Sequence, residues 1–168
     1  KLSTPSRRLA AMAGRIALVT DPQGQAFYVM TPAPPPGESA ESTAFSPELP
    51  GRCGWNELAT PDQSGALAFY TSVMGWDLPE AMDMGPLGAY QFLEHAGTGI
   101  GAIFTAPPET PTGWTFYFRV TDIEAARERL LAAGGEILQD LHEVPGDDWI
   151  IAALDPQGAA FALVGHRA

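Results

Sequence analysis

The stretch CGWNELATPDQSGALAFYTSVMGW, residues 53–76, decides the fold, because it contains signals for a strand, a helix start and a helix stop in that order. Its first seven residues mix apolar and polar side chains, which favours a strand. Thr60 predicts the helix N-cap, with Pro61 at the first helical position and Gln63 placed to close a capping box. Gly75 is typical of the residue that follows a helix. The stretch therefore predicts a strand that leads into a capped helix.

The same strand–helix unit recurs later in the chain, where Asp122 holds the position that Asp62 has in the first unit. A strand pattern over 115–121 precedes Asp122, which predicts a second helix start, and Gly134-Gly135 predicts its end. Gly75 and Gly135 have the same spacing as the two aspartates. Each unit is followed by about 35–40 residues of short apolar runs broken by Gly and Pro, which indicate strands and turns. The chain therefore contains two βαβββ modules in tandem.

A second repeat relates a segment near the start of the chain to a segment near its end. A strand over 15–19, the turn Asp-Pro-Gln-Gly and a return strand over 25–30 recur in WIIAALDPQGAAFALV, residues 149–164. One period of this repeat runs from Asp21 to Asp155. A repeat at fixed spacing predicts that the first hairpin ends an earlier domain of the same kind, most of which lies outside this chain. The alternative is an unrelated hairpin that shares a common turn.

These repeats divide the chain into three parts. Residues 1–31 are predicted to be the C-terminal remnant, a hairpin, of a preceding βαβββ-type domain. Residues 32–51 form a linker rich in Pro, Ser, Glu and Gly. Residues 52–168 form one complete domain, with modules at about 52–106 and 113–166. Because a two-stranded hairpin is marginally stable alone, we expect it to pack on a sheet edge, in a homodimer or against the missing first domain.

Charge and composition exclude several classes of function. The net charge is −11 and the isoelectric point about 4.5, which argue against nucleic acid and against anionic membrane surfaces as partners. Cys53 is the single cysteine, so neither an internal disulfide nor a multi-cysteine metal site is expected. No stretch has the length of a transmembrane helix, and the start carries no apolar run of signal-peptide length. The sequence therefore predicts a cytoplasmic protein.

The motifs Thr-Pro-Asp and AFYTSVMGW, together with the terminal DPQG turn, resemble the vicinal-oxygen-chelate superfamily of glyoxalase, bleomycin-resistance and extradiol-dioxygenase proteins. The resemblance covers about residues 52–166. WNELATPD is similar to two-domain, glyoxalase-like bacterial proteins, some of them described as hydroxylases. The resemblance implies an α+β fold in which the paired βαβββ modules form a cupped mixed sheet with the helices outside.

Metal-dependent members of this superfamily bind a divalent ion in the cup through His, Glu or Gln side chains. The resemblance places three ligand positions at Trp55, Thr115 and Ala162, with Tyr28 as the counterpart in the first hairpin. The remaining ligand position falls on the strand GIGAIFTAP, which contains no His, Asp or Glu. A divalent ion needs imidazole or carboxylate donors, and these residues offer none. No pair of histidines shows HxH or HxxxH spacing among His95, His142 and His166. We therefore expect no metal centre and no cofactor.

Strand alternation predicts which side chains line the cup. Trp55 and Glu57 share one face of the first strand, and Cys53 has the same parity. The predicted ligand-binding residues are Trp55, Glu57, Thr115, Tyr117, Arg119 and Ala162. An apolar, aromatic pocket with one carboxylate and one guanidinium has the composition of a small-molecule site. In the alternative interpretation, Trp55 and Tyr117 fill the cup as core, and Glu57 and Arg119 pair with each other or lie exposed.

Three functions remain open from the sequence. The first is a metal-free small-molecule-binding domain, like the bleomycin-resistance proteins that hold aromatic or cationic compounds in an acidic, Trp-lined cup. The second is a glyoxalase-like lyase or hydroxylase-like enzyme, with atypical metal donors or with Glu57 as a catalytic acid or base whose pKa is raised in an apolar cup. The third is a degenerate domain that serves assembly. We favour the first, with a small-molecule ligand as partner.

Overall fold

The computed structural model describes residues 14–37 and 42–167 of the 168-residue chain. The start of the predicted hairpin remnant and four residues of the predicted linker therefore lie outside the described residues. The strands are β1 (Gly14–Thr20), β2 (Ala26–Pro32), β3 (Cys53–Thr60), β4 (Ala81–Asp83), β5 (Ala89–His95), β6 (Thr98–Thr105), β7 (Gly113–Val120), β8 (Glu136–Val144), β9 (Asp148–Leu154) and β10 (Ala160–His166). The helices are α1 (Gln63–Met74) and α2 (Ile123–Ala132), with a short 3-10 turn at Gly85–Leu87.

Strands β3 to β10 form one eight-stranded sheet with the order β4-β5-β6-β3-β7-β10-β9-β8. β3 and β7 pair antiparallel at its centre. Each of these two strands also pairs in parallel with the last strand of its own module, β3 with β6 and β7 with β10. The two halves of the sheet therefore have the same topology, which confirms the two predicted βαβββ modules.

Both helices pack on one face of the curved sheet. Helix α1 covers a core that contains Leu58, Leu93 and Ile103, whereas α2 covers Ile151, Ala153 and Leu163. The opposite face has its own cluster, built from Tyr117, Ala162 and Val164 with Trp55 and Ile150 packed against it. This second face is the inside of the cup. The predicted α+β architecture, with the helices outside a cupped mixed sheet, is confirmed.

The helix caps differ in part from the prediction. Asp62, not Thr60, is the N-cap of α1, and its Oδ1 accepts a hydrogen bond from the Gly65 backbone N–H at 2.9 Å. Gln63 closes no capping box, because its side chain donates instead to the Ile103 carbonyl oxygen at 2.7 Å. Gly75 ends α1 at φ 67°, a left-handed conformation that suits glycine. The predicted helix start at Asp122 is confirmed.

The hairpin of β1 and β2 forms a separate two-stranded sheet. Its turn packs against α1, where the Tyr70 hydroxyl donates to Asp21 Oδ2 at 3.1 Å in a buried contact. Phe27 lies beside the rings of Phe69 and Tyr70, with centroids 6.4 and 5.7 Å away. Within this chain the hairpin therefore rests on a helix. Its expected packing on a sheet edge, in a homodimer or against the missing first domain, stays a prediction.

A β-bulge at Gly54 changes the parity of β3. The register between β3 and β7 shifts between Cys53 and Trp55. As a result, the Cys53 thiol lies near the Asn56 side chain at 3.4 Å and does not share the face of Trp55. The parity predicted for Cys53 is therefore wrong, since the extra residue of a bulge reverses the alternation beyond it.

Candidate functional site

The two central strands, β3 and β7, carry four of the residues predicted to bind a ligand. Trp55 lies opposite Tyr117, and Glu57 lies opposite Thr115, in the antiparallel pair of β3 and β7. Residues that face each other across such a pair project from the same side of the sheet. On the next strand, Ala162 is fully buried and aligns with Tyr117. These five side chains therefore lie on the inside of the cup, and their role in ligand binding stays a prediction.

Glu57 lies at the centre of a hydrogen-bond network that crosses three strands. The Tyr90 hydroxyl donates to Glu57 Oε2 at 2.8 Å, and the Tyr117 hydroxyl donates to Oε1 at 3.0 Å. The indole Nε1–H of Trp55 in turn donates to the Tyr90 oxygen at 3.0 Å. One carboxylate is thus held between two phenols, and its position is fixed from both modules.

Burial controls the protonation of this network. Burial raises the pKa of Glu57 above its usual value, while the hydrogen bonds from Tyr90 and Tyr117 partly oppose the rise. The pKa values of both tyrosines are raised as well, first by burial and then by the neighbouring Glu57 charge. Both phenols therefore stay protonated at neutral pH and act as donors towards the carboxylate.

Two aromatic residues of β5 complete the wall and were missed by the sequence analysis. Phe92 packs edge-on against Trp55, with ring centroids 6.1 Å apart, and against Tyr90 at 5.5 Å. Tyr90 also stacks on Phe104 of β6 at 5.9 Å. The alternation of Tyr90 and Phe92 in AYQFLEH was the signal that could have found them, because aromatic residues two apart on a strand face one side.

Arg119 takes a different place from the other predicted residues. It is 8% exposed and forms an ion pair with Asp148 of β9. Its Nη2 also lies 3.0 Å from His166 Nε2 at the end of β10. The alternative interpretation that Glu57 pairs with Arg119 is therefore wrong. The guanidinium is held at the end of the cup by its own partners, and Glu57 is held by the tyrosines.

The donor set of the cup does not fit the divalent ion that the superfamily implies. Three of the ligand positions hold Trp55, Thr115 and Ala162, and the remaining one lies on β6, which contains no His, Asp or Glu. None of these positions carries an imidazole or a carboxylate. Within residues 14–37 and 42–167, no group of three or more His, Cys, Asp or Glu side chains is arranged to hold a metal ion. Glu57 is one carboxylate among phenols and rings, whereas metal sites need several converging donors.

Comparison with known proteins places the chain in a family. The sequence profile of the Glyoxalase/Bleomycin resistance protein/Dioxygenase superfamily matches residues 52–163. The chain is 30% identical over 153 residues to "Putative glyoxylase CFP32" of Mycobacterium tuberculosis (strain CDC 1551 / Oshkosh). This match covers 90% of the present chain and 56% of the relative. It is 31% identical over 136 residues to "Anthracycline biosynthesis protein DnrV" of Streptomyces peucetius, and this match covers 72% of the present chain and 48% of the relative. The chain thus spans about half the length of these curated relatives.

Solved structures agree on the fold. Hypothetical protein BH1468 from Bacillus halodurans C-125 superposes with a TM-score of 0.54 at 15% identity, over 68% of this chain and 93% of that one. Methylmalonyl-CoA epimerase from Mycobacterium tuberculosis gives a TM-score of 0.51 at 19% identity, over 68% and 87%. Among the described residues, no helix is long and apolar enough to cross a membrane. Profile, relatives and fold agree: the chain belongs to the Glyoxalase/Bleomycin resistance protein/Dioxygenase superfamily.

Proposed function

We propose that the cup binds a small planar aromatic molecule that carries hydroxyl or amino groups, and that it does so without a metal ion. The observation that carries this proposal is the Glu57 carboxylate, held between the Tyr90 and Tyr117 hydroxyls beside aromatic rings. The network supplies a polar anchor in an otherwise apolar cup, which is the usual composition of a small-molecule site.

The unused hydrogen-bonding capacity of the network defines the polar part of the ligand. Each Glu57 oxygen accepts one bond from a phenol and keeps a lone pair. The Tyr117 oxygen donates to Glu57 and also keeps acceptor capacity. Since the capacity that remains is that of an acceptor, the matching ligand groups are donors, namely hydroxyl or amino groups. The net charge of −11 favours a neutral or cationic molecule over an anion.

The rings of the wall define the apolar part. Trp55, Phe92, Tyr90 and Phe104 form a continuous series of aromatic contacts on the inner face. Such rings pack well against another flat ring, and each such pair contributes about 0.5–1.5 kcal/mol beyond the area that it buries. A relative named for anthracycline biosynthesis supports an aromatic ligand, because anthracyclines are flat polycyclic molecules with hydroxyl groups.

Fluorescence anisotropy of doxorubicin, a water-soluble anthracycline with phenolic hydroxyls and an amino group, tests this proposal. We expect saturable binding that Glu57→Gln weakens by roughly tenfold or more, because a hydrogen bond to a charged group is worth about 1.5–3 kcal/mol. Glu128→Gln is the matched control, since Glu128 is exposed on α2. Absence of saturable binding, or equal loss in both variants, would contradict the proposal.

Thermal unfolding with added ions tests the metal-free part of the proposal. Saturating Zn²⁺, Ni²⁺ or Fe²⁺ should leave the melting temperature unchanged, because only an ion that binds the folded state stabilises it. Doxorubicin at saturation should raise the melting temperature for the same reason. Stabilisation by one of the ions, abolished by Glu57→Gln, would contradict the proposal, because the cup would then hold a metal through Glu57, which is not at one of the superfamily's ligand positions.

A second candidate function is proton transfer by Glu57. The raised pKa of this buried carboxyl group favours it, because a general base works best with a pKa near the operating pH. Incubation of candidate carbonyl compounds with the protein in D₂O would reveal exchange at carbon by nuclear magnetic resonance. Exchange that needs Glu57, and survives Glu128→Gln, would favour an enzyme over a binding domain.

A further inference from the structure

Position 99 of β6 carries no side chain, although neither the backbone nor the surrounding atoms require glycine there. Gly99 has no positive φ, and a Cβ added to it would meet only Trp55 Cζ3, at an ordinary contact distance of 3.6 Å. Gly101 on the same strand differs, because a Cβ there would lie 2.0 Å from the Asn56 carbonyl oxygen. A glycine inside a strand weakens it and often marks a place where a ligand approaches closely.

A β-bulge turns this position towards the cup. The register between β5 and β6 shifts at Ile100, the extra residue between the paired Gly99 and Gly101. Simple alternation from Ile103, in the core under α1, would turn Gly99 to the helix side of the sheet. The bulge reverses the alternation, so a Cβ at this position would approach the ring of Trp55 inside the cup. Bulges often re-aim a position beside a binding site in this way.

The missing side chain leaves one end of the Trp55 ring uncovered. At the opposite end, the indole Nε1–H donates to the Tyr90 oxygen, and Tyr90 in turn donates to Glu57. Cζ3 belongs to the benzo ring of the indole, and this is the end that faces Gly99. Trp55 itself is half-buried. A flat molecule that lies on the indole with its polar end at Glu57 therefore extends its apolar end over Gly99.

Strand geometry sets the length of such a molecule. Gly101 is aligned with Asn56 in the parallel pair of β6 and β3, so Gly99 lies about level with Gly54. The distance along the strand from Gly54 to Glu57 is on the order of 10 Å, from the rise of a β-strand. A single ring that is hydrogen-bonded to Glu57 is too short for this distance, whereas several fused rings reach Gly99.

We propose that Gly99 selects the ligand by size, because it makes room for the far end of a molecule with several fused aromatic rings whose polar end is held at Glu57. This inference rests on the proposed function, since it concerns the same cup. A compound with one ring contacts Glu57 and Trp55 without reaching position 99. The preference of the cup for polycyclic over monocyclic compounds is thus set by the absence of one side chain.

Fluorescence anisotropy of doxorubicin with variants of position 99 tests the proposal. Gly99→Leu should weaken binding by roughly tenfold or more, and Gly99→Ala by about two- to threefold, because each added carbon takes up space that the fused rings need. Thr98→Leu is the matched control, since it adds the same side chain to the next residue, which faces the other side of the strand, and should leave binding unchanged.

A single-ring compound separates selection by size from general damage to the cup. Dopamine carries hydroxyl and amino groups on one ring, and isothermal titration calorimetry should show no difference between its binding to Gly99→Leu and to the native chain. The indole N–H resonance of Trp55 in a nuclear magnetic resonance spectrum should also be retained, because its hydrogen bond to Tyr90 lies at the other end of the ring.

Doxorubicin binding that Gly99→Leu leaves unchanged, or that Thr98→Leu weakens equally, overturns this inference and leaves the proposed function standing. A loss of dopamine binding as large as the loss of doxorubicin binding overturns selection by size. If Gly99→Leu does not fold, Gly99→Ala decides, since its Cβ makes only an ordinary contact, and unchanged binding there overturns the inference. Absence of saturable doxorubicin binding by the native chain overturns both the inference and the proposed function.

Discussion

Replacement of Tyr70 by Phe removes one oxygen atom from the contact between the hairpin and α1. Tyr70 is 1% exposed and Asp21 is 4% exposed, so water cannot replace the lost hydroxyl. Two hydrogen bonds disappear: the one that Tyr70 donates to Asp21 Oδ2 at 3.1 Å, and the one that it accepts from Trp114 Nε1 at 3.1 Å. The first bond involves a carboxylate and is worth about 1.5–3 kcal/mol, and the unpaired indole adds about 1 kcal/mol.

We therefore expect Tyr70→Phe to lower the free energy of unfolding by about 2.5–4 kcal/mol at neutral pH. For a chain of this size that corresponds to a fall in melting temperature of roughly 5–15 °C. Urea unfolding followed by circular dichroism measures the effect, with Tyr28→Phe as control, because Tyr28 is 68% exposed. A loss below about 0.5 kcal/mol, the range of ordinary surface changes, would refute the reasoning.

A double-mutant cycle isolates the carboxylate. If the hydroxyl acts through Asp21, the effects of Asp21→Asn and Tyr70→Phe should fall short of additivity by about 1 kcal/mol or more. Independent, additive effects would show that the hydroxyl serves the Trp114 indole alone.

Three more predictions follow from the structure. Burial raises the pKa of Glu57, so the contribution of its protonated form to stability is fully present below the unfolded pKa and is lost as pH rises through the folded pKa. In urea unfolding, the free energy of unfolding of Glu57→Gln relative to that of the native protein should therefore be higher at pH 8 than at pH 4. Asp122→Ala removes a side chain that caps α2 by accepting from the Glu124 N–H at 2.9 Å, and should cost about 1 kcal/mol in a thermal melt. Gly101→Ala should prevent soluble expression, because its Cβ would lie 2.0 Å from the Asn56 carbonyl oxygen, whereas Gly99→Ala, 3.6 Å from the nearest atom, should fold normally.

The modules were predictable from the sequence because each is marked by local signals. A capping Asp, an apolar helix face and a Gly stop act within one segment, and the recurrence of Asp62 and Gly75 as Asp122 and Gly135 supplied the second unit. The exact cap of α1 was missed because Thr60 and Asp62 are both good N-caps two positions apart. Thr60 remains fully buried in β3, which leaves Asp62 to accept from the helix N–H group.

Only part of the candidate site was predictable, because the residues that contact Glu57 and Arg119 come from strands distant in the sequence. Tyr90 reaches Glu57 only through the register of β5 on β6, which no local pattern specifies. Asp148 contacts Arg119 because β9 pairs with β10 and β10 pairs with β7, and no local pattern indicates that contact. Cys53 was assigned to the wrong face because the bulge beside it is a feature of strand pairing, which a period of two cannot anticipate.

The turn of the first hairpin lies across the joint between the two modules. It holds Tyr70 of the first module through Asp21, while Gln25 donates to Thr112 at 3.1 Å, directly before β7 of the second. Trp114, on β7 itself, donates to the same Tyr70 hydroxyl. These hydrogen bonds connect the hairpin to the strand that carries Tyr117. A displacement of the hairpin would therefore be expected to change the spacing between Tyr117 and Glu57.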